Sequence, residues 1–386
     1  MRGRWVTNSA GAVTIVAVDN RKTVKDWLAV PYAVFAGDPA WVAPLDYLER
    51  RRISPKHAPF FTFGDVQLFL AYRGDKPVGR ISAQINRRHL ERYRDACGHF
   101  GFFDCEDDRE AARSLVDAAA GWLRARGMAR MVGPQNFSLN EECGCLISGF
   151  DTPPAVLMTH ARRWTGPLLE AAGLSKEMDL YAYRLARGKL PKEMFELAQL
   201  ARQSAGVSTR QFEMKRYDSE VRTVIDIFND AWSENWGFVP FSAAEIDSLL
   251  AEMRPLFRDH YGRFVLVNGA PAGVIVGLPN VNQTIAPFHG RLLPFNWLKL
   301  WWILKREAIP TARVPLMGIK KAYQATPIGG LLLMLLMDEF NAQMNRHNLD
   351  WAEFSWVLES NKRVAAMAER GFGPPAKTYR LYGKAL

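Results

Sequence analysis

Two stretches in which apolar and polar residues alternate predict β-hairpins. In the first, residues 66–73 and 78–85 flank Gly74-Asp75-Lys76-Pro77; in the second, residues 263–267 and 272–277 flank Asn268-Gly269-Ala270-Pro271. Each pairs two β-rich runs across a Gly/Pro turn. Apolar residues at helical spacing predict amphipathic helices over 109–126, 221–235 and 331–346. Another pattern occurs twice: a short helix stopped by glycine, then a strand rich in tyrosine. Residues 166–174 precede Leu180-Tyr181-Ala182-Tyr183-Arg184-Leu185, and residues 364–372 precede Thr378-Tyr379-Arg380-Leu381-Tyr382.

The hairpins lie about 195 residues apart and the helix–strand pairs about 200, which marks a duplicated unit and not a short-period solenoid. The boundary between the units is expected within 187–206, where Gly188 and Pro191 precede a polar helix. The expected organisation is therefore an N-terminal domain over 1–190 and a C-terminal domain over 191–386. Each is read as α+β, in α/β/α layers, with a mixed and mainly antiparallel sheet.

Composition narrows this picture. A chain of 386 residues, 48% hydrophobic and 23% charged, is neither disordered, collagenous nor coiled-coil. The 50 Lys and Arg against 40 Asp and Glu leave a formal charge of +10, which calls for anionic partners. Four cysteines are too few for a disulfide scaffold. Cys97-Gly98-His99 with Cys105 loosely resembles a ligand set, but its spacing matches no standard zinc pattern, so no metal is expected. The basic start Met1-Arg2-Gly3-Arg4-Trp5 leads into no adequate apolar run, which argues against a signal peptide. The most apolar stretches, 292–304 and 327–337, fall below the ~20 residues of a spanning helix. A cytoplasmic chain is expected, with at most peripheral membrane contact.

The chemistry is clearest in the second half. A predicted strand over 313–319 leads into Gln324-Ala325-Thr326-Pro327-Ile328-Gly329-Gly330 and then an apolar helix. Free backbone N–H groups and the helix dipole at such a turn suit an anion, although an ordinary strand-to-helix turn has the same outline. Downstream lie Glu359-Ser360-Asn361 and Arg370-Gly371-Phe372. In that order these segments resemble the GNAT superfamily of acyl-CoA-dependent N-acyltransferases, whose pyrophosphate loop reads Gln/Arg-x-x-Gly-x-Gly/Ala. Pro327 stands where the first family glycine would be and removes one N–H donor. The resemblance implies cofactor contacts at Gln324, Ala325, Thr326, Ile328, Gly329, Gly330 and Asn361.

The first half carries no comparable loop; its equivalent region is taken to be 131–144, continuing through Gly149-Phe150-Asp151-Thr152-Pro153-Pro154 to Met158-Thr159-His160. Gly133-Pro134-Gln135-Asn136-Phe137-Ser138-Leu139-Asn140-Glu141-Glu142-Cys143-Gly144 and the later Phe-Asp-Thr-Pro-Pro are similar to a bacterial tandem-GNAT branch. That branch includes bacterial ceramide synthases, which N-acylate sphingoid bases. The resemblance implies a first half that has lost acyl-CoA binding and shapes the acceptor site. It also implies long-chain acyl-CoA and a long-chain amine, sphinganine or 3-oxosphinganine, as substrates. A GNAT enzyme acting on a soluble amine or peptide, and a non-catalytic GNAT-like binding module, remain the alternatives.

Amide formation needs a base for the amine and stabilisation of an oxyanion. Glu141 and Glu142 are adjacent, so on an extended segment only one faces the site; a solvated acidic turn is the competing reading. His160 has a suitable intrinsic pKa, and a structural histidine is the competing reading. Glu359 is a candidate for orienting water or cofactor, Asn361 competes as a helix cap, and Tyr382 is a candidate proton donor or a core residue. Finally, residues 285–309 exceed a minimal unit. Leu293, Trp297, Leu300, Trp301 and Leu304 follow helical spacing, Lys299 and Arg306 fall on the other side, and His289, Arg291 and Lys305 flank them. Such a helix lies either at an anionic membrane surface or buried between domains. Arg50-Arg51-Arg52 and Arg87-Arg88 read as solvated faces or phosphate contacts, and no nucleic-acid partner is expected.

Overall fold

A computed structural model describes residues 11–386; the basic Met1-Arg2-Gly3-Arg4-Trp5 start lies outside the described residues. The first half runs β1 (Val13–Ala17), α1 (Arg21–Val34), α2 (Asp46–Arg52), β2 (Gly64–Arg73), β3 (Lys76–Asn86), α3 (Arg87–Tyr93) and β4 (Cys97–Cys105). It continues with α4 (Arg109–Arg124), β5 (Arg130–Gly133), β6 (Cys145–Ser148), α5 (Thr165–Ala171) and β7 (Ser175–Ala186). The second half runs α6 (Lys192–Gln203), β8 (Val207–Gln211), α7 (Tyr217–Trp232), α8 (Ala243–Met253), β9 (Gly262–Val267), β10 (Ala270–Pro279) and α9 (Asn282–Ile285). Then follow α10 (Asn296–Lys305), β11 (Thr311–Ile319), α11 (Lys321–Gln324), α12 (Pro327–Arg346), β12 (Trp351–Leu358), α13 (Lys362–Phe372) and β13 (Lys377–Ala385).

Both expected hairpins form, each with a bulge beside its strand proline: between Ala71 and Tyr72 opposite Pro77, and between Pro271 and Gly273. The prolines stay opposite Tyr72 and Leu266, and the extra residue of each bulge is the one that follows, Val78 or Ala272. The turns are tighter than expected, two residues each, because Lys76 pairs with Arg73 and Ala270 with Val267. The three expected helices are α4, α7 and α12. Asp108 starts α4 by accepting from Glu110 N and Ala111 N, and the alanines, Leu115, Val116 and Leu123 of its apolar stripe are buried against β2 and β3.

All thirteen strands join one sheet, ordered β1-β2-β3-β4-β5-β13-β7-β12-β11-β10-β9-β8, with β6 also on β13. The two halves follow the same order outward from the centre, but their closing strands are exchanged. β13, the last strand of the chain, pairs with β5 of the first half, and β7 pairs with β12 of the second. Among the described residues, parallel pairing is confined to β4–β5 and β11–β12. One large core therefore mixes β13 residues with the first half: Tyr379, Leu381 and Tyr382 are buried with Leu115, Leu123, Met131 and Leu169. A second gathers β9–β12, α7 and α12.

The exchange makes a sharp prediction. Leu381→Ala, in the last strand, is expected to cost about 3 kcal/mol. Hydrogen exchange should report the loosening in β5 and α4 of the first half, while α12 keeps its protection.

Candidate active site

Each half contains a cleft where two parallel strands part. β4 and β5 are paired only over Cys97–His99 and Arg130–Val132, and β11 and β12 only over Thr311–Val314 and Trp351–Phe354. The first cleft is filled by its own chain. Gln135 N donates to Phe100 O at 2.8 Å, Phe102 N to Asn136 Oδ1 at 2.7 Å, and the Trp164 indole to Cys105 O at 3.0 Å. Beyond the paired residues of the second cleft, Leu316 and Met317 on β11 and Trp356 and Val357 on β12 are only half-buried.

The helices that follow these clefts begin in opposite ways. At α4 the Asp108 carboxylate occupies the first free N–H groups, and Arg73 pairs with Asp108 and Glu110 at 2.7 and 2.9 Å. An anion has no place there. The N-cap of α12, Thr326, makes no side-chain cap; its hydroxyl donates back to Tyr323 O at 2.6 Å, and the first turn has no acidic residue. Pro327 has no N–H and Gly329 N donates to Thr326 O at 3.1 Å, so it is the remaining N–H groups of the first turn, such as that of Ile328, that are left to another acceptor. The first-half counterpart of the α12 loop is accordingly 106–108, between β4 and α4, and not 131–144, which follows β5. Around the α12 loop Gln324, Ala325, Thr326 and Gly330 are exposed and Ile328 is half-buried. The Gln324 amide is tied to Ala231 O and Ile319 O at 3.0 and 2.8 Å, so its nitrogen serves the loop's shape. A Cβ at Gly329 would lie 2.1 Å from Tyr323 O, whereas one at Gly330 would meet nothing within 4 Å. Gly329 is required by packing; Gly330 leaves a surface open.

A cavity of about 150 Å³ under α1 and α2 is lined by Glu49, Arg80, Asp104, Glu142 and His160. His160, its side chain 3% exposed, meets Asp38 Oδ2 through Nε2 at 3.1 Å, and Arg162 reaches the same oxygen at 3.2 Å. Its Nδ1 is buried without a partner. Burial pulls the imidazole below its usual pKa against the pull of Asp38, so the ring is neutral and Nδ1 carries a lone pair when Asp38 accepts from Nε2. Arg80 and Asp104 pair at 2.7 Å in the same wall, and burial raises Asp104 despite Arg80.

Glu141 and Glu142 do not diverge as an extended segment would have them. Residues 138–142 form a turn, with Glu141 N on Ser138 O, and both carboxylates converge on Arg52, at 3.1 and 2.7 Å. Burial pushes Glu141 up to about 7 against Arg52. It opposes the charge on Glu142 too, but there Arg52 and the Asn136 amide prevail and hold the carboxyl below its usual range. Glu142 lines the cavity beside Asp104 and Glu49. Arg52 is thus an inward anchor, stacked 5.2 Å over Phe102, and not part of a solvated basic face. Arg88 likewise turns inward, donating to Pro240 O at 2.7 Å across the halves.

The cavity abuts the second half through residues 149–158, which lie across its sheet. Lys377 of β13 donates to Gly149 O and Thr152 O, and Arg313 of β11 to Val156 O and Leu157 O at 3.1 and 3.2 Å. Arg313 also meets Ser355 Oγ at 2.9 Å, which leads on to the fully buried Glu353. Beside them the Tyr379 hydroxyl is buried and unpartnered. Sequence reading missed Asp38, Arg80, Asp104, Arg313 and Lys377, whose only trace was single charges, and saw Arg52 only as part of a basic run.

Three sequence candidates are committed elsewhere. Tyr382 is carried by the strand exchange into the first-half core, opposite Gly133, where its hydroxyl meets Glu170 at 3.2 Å and burial keeps it protonated. It does not belong to the second cleft. Glu359 accepts from Asp179 N at 2.7 Å and Lys176 at 2.8 Å, joining β12 to β7. Asn361 caps α13 by accepting from Val364 N at 3.4 Å.

The insert is not a buried inter-domain helix. No residue of α10 is buried; Leu300 and Leu304 turn inward, while Leu293, Phe295, Trp297, Leu298, Trp301 and Trp302 are 43–75% exposed. Lys305 and Arg306 lie over Trp301 and Trp302 at 4.9 and 4.1 Å. α2 adds exposed Tyr47 and Leu48 to this face, and the two elements are joined by Asp46 N on Gly290 O at 2.9 Å. Among the described residues no helix is long and apolar enough to cross a membrane.

No family model matches the chain. It is 43% identical over 382 residues to the bacterial ceramide synthase of Caulobacter vibrioides, covering 97% of this chain and 98% of that protein. It is 36% identical over 367 residues to protein YghO of Escherichia coli, covering 95% of this chain and 94% of that protein. Among solved structures, a tandem GNAT protein from the clavulanic acid biosynthesis pathway aligns with a TM-score of 0.55 at 12% identity, over 97% of this chain and 98% of that one. That likeness is one of fold.

The Arg52 hub is testable by pH. Arg52→Met leaves Glu141 and Glu142, and Glu49 at 3.7 Å, without their cation. The expected loss is about 2 kcal/mol, below the range for a fully buried pair because a third of Glu141 meets solvent. Glu142 has a lowered folded pKa, so its stabilisation is present above its unfolded value of 4.5 and lost as pH falls. Urea denaturation should therefore show the full deficit above about pH 5 and a smaller one near about pH 3.

Proposed function

The chain belongs to the family of bacterial ceramide synthase, among the tandem-GNAT N-acyltransferases, and from that premise we propose that it transfers a long acyl chain from acyl-CoA to the amine of a sphingoid base. The observation that carries this reading is a polar, charge-lined cavity directly beneath an exposed apolar face. Val42, Leu45, Ile285 and Phe288 form the apolar bridge between the two. An acceptor with a polar head and a long tail matches both environments at once. A soluble amine has no use for the second.

In this reading the free N–H groups at the start of α12, with Ala325, Thr326, Ile328 and the open side of Gly330, hold the CoA phosphates. The parting of β11 from β12 receives the pantetheine arm. Gln324 and Asn361 shape the loop and the following helix and do not bind through their side chains. Asp104 and Glu142 attract the acceptor's ammonium and hydroxyls. His160 takes the amine proton through Nδ1, with Asp38 holding the ring in the tautomer that leaves this nitrogen free. Glu141 supports Arg52 and thereby the orientation of Glu142. The exposed tryptophans of α10, with Arg291, Lys299, Lys305 and Arg306, suit the headgroup layer of an anionic membrane on the cytoplasmic side.

Purified chain with a long-chain acyl-CoA should release free CoA only when a sphingoid base is present, with the amide found by mass spectrometry. Turnover with acetyl-CoA and soluble amines, indifferent to vesicles, would replace this acceptor; absence of acyl-CoA binding in calorimetry would leave a binding module. Two variants divide the roles. His160→Gln should lower kcat by roughly 10²-fold or more while acyl-CoA affinity holds. Gly330→Asp has room for its side chain, so it should fold normally yet lose acyl-CoA affinity at least ~10-fold through charge at the helix start.

Membrane contact is tested separately. Trp297→Ser with Trp301→Ser should reduce flotation with anionic vesicles without lowering the thermal midpoint, since neither indole is buried. Unchanged flotation would assign the apolar face to a protein partner.

A further inference from the structure

A second cavity, of about 430 Å³, opens between the first-half sheet and the loop that follows α7. Its wall carries His89, Cys97 and His99. Cys97 and His99 are two residues apart on β4 and so share a face. His89 arrives from α3, which Asn86 starts by accepting from His89 N at 3.1 Å. Left-handed backbone at Arg94 and Ala96 (φ 52° and 49°) then turns the chain back into β4. The result sets the His89 ring edge-on to His99, with centroids 4.8 Å apart.

Three features distinguish this cluster from a core packing accident. One donor atom from each residue lies within 4.8 Å of the other two. All three residues are more than nine-tenths buried, at 8%, 3% and 6% exposure. His99 Nδ1 is buried with no hydrogen-bond partner, a defect that ordinarily costs about 1–3 kcal/mol. Asp95 completes the surroundings: its carboxylate meets His89 Nε2 at 3.2 Å and accepts from Cys97 N at 3.1 Å.

We propose that His89, Cys97 and His99 bind a zinc ion, with Asp95 bracing or completing the ligand set and a remaining position facing the cavity. Imidazole and thiolate together suit zinc over harder cations. Bonds of about 2.0–2.3 Å put tetrahedral donors about 3.5 Å apart, so the side chains need to close by about an ångström. On binding, the Cys97 S–H bond breaks, its proton passes to solvent, and the sulfur electron pair bonds the metal. Asp95 and Glu177, which pairs with Arg130 at 2.7 Å, offset the added positive charge. The ligand spacing falls outside familiar zinc patterns because a helix, a left-handed turn and a strand each intervene. This site is independent of the acyltransferase reading.

The test uses the full chain, stripped with a chelator and reloaded with Zn²⁺ or Co²⁺. One retained zinc per chain by mass spectrometry is expected, and Co²⁺ should give a thiolate charge-transfer band with tetrahedral d–d bands. Cys97→Ser should abolish the charge-transfer band, His99→Ala should weaken retention at least ~10-fold, and Cys105→Ser, at the far end of β4, should change neither. A wild-type chain that retains no zinc and gives no thiolate band with Co²⁺ overturns the site. So does metal binding that survives unchanged in both Cys97→Ser and His99→Ala.

Discussion

The exchange of β7 and β13 is the constraint on which the remaining architecture rests. Each closing strand completes the sheet of the other half, so neither half can bury its central strands alone. β13 lies between β5 and β7, and from there it contributes Tyr379, Leu381 and Tyr382 to the first-half core and Lys377 to the junction. A hinge between the halves would have to break main-chain hydrogen bonds along three successive strand pairs, so relative motion of whole domains is suppressed. A site assembled across the junction gains from that rigidity, because residues from distant parts of the chain hold fixed positions relative to one another.

The junction is built from buried charge as well as strands. Lys377 and Arg313 both donate to carbonyls of 149–158, a segment with no regular secondary structure of its own. Burial pulls the Lys377 ammonium down to about 8, a sign that its environment strains to hold the charge. Carbonyl acceptors are the means by which an irregular loop supplies compensation without a neutralising carboxylate. The same loop leads directly to Met158 and His160 in the cavity wall. Thus the position of the imidazole is set at one end by Asp38 of the first half and at the other by cations of the second.

Much of the fold was legible because the repeated features are local. The Pro-x-Gly hairpins, the glycine-stopped helices and the tyrosine-rich strands each follow from short-range pattern, and their common spacing exposed the duplication. Strand exchange was not legible, since a closing strand reads the same whichever half it completes; for Tyr382 the sequence offered a proton donor or a core residue without saying whose core. Glu141 and Glu142 were misjudged for a related reason. Alternation holds for a strand, but Ser138 turns the chain there, and the partner that draws both carboxylates together, Arg52, lies far away in sequence. Arg52 itself was hidden by its neighbours Arg50 and Arg51, which are exposed as a basic run leads one to expect. The tryptophans of the insert were equally ambiguous until the outward orientation of Trp297 and Trp301 separated them from Leu300 and Leu304.

The two halves differ most where duplication would predict likeness, and the difference has a simple electrostatic form. Both have a strand that parts from its neighbour and then a helix start, which is enough to bind an anion. The first half cancels that potential with Asp108 and Glu110 and fills its cleft with Asn136 and Trp164. The second leaves its helix start uncapped and free of acidic residues. The first half instead gathers acidic groups around its cavity, Asp104, Glu142, Glu49 and the Asp38–His160 pair, a setting that repels an anion and favours a cation. Two regions of opposite electrostatic character thus stand on one strand order, by changing what occupies the helix start and the cleft and leaving the sheet untouched.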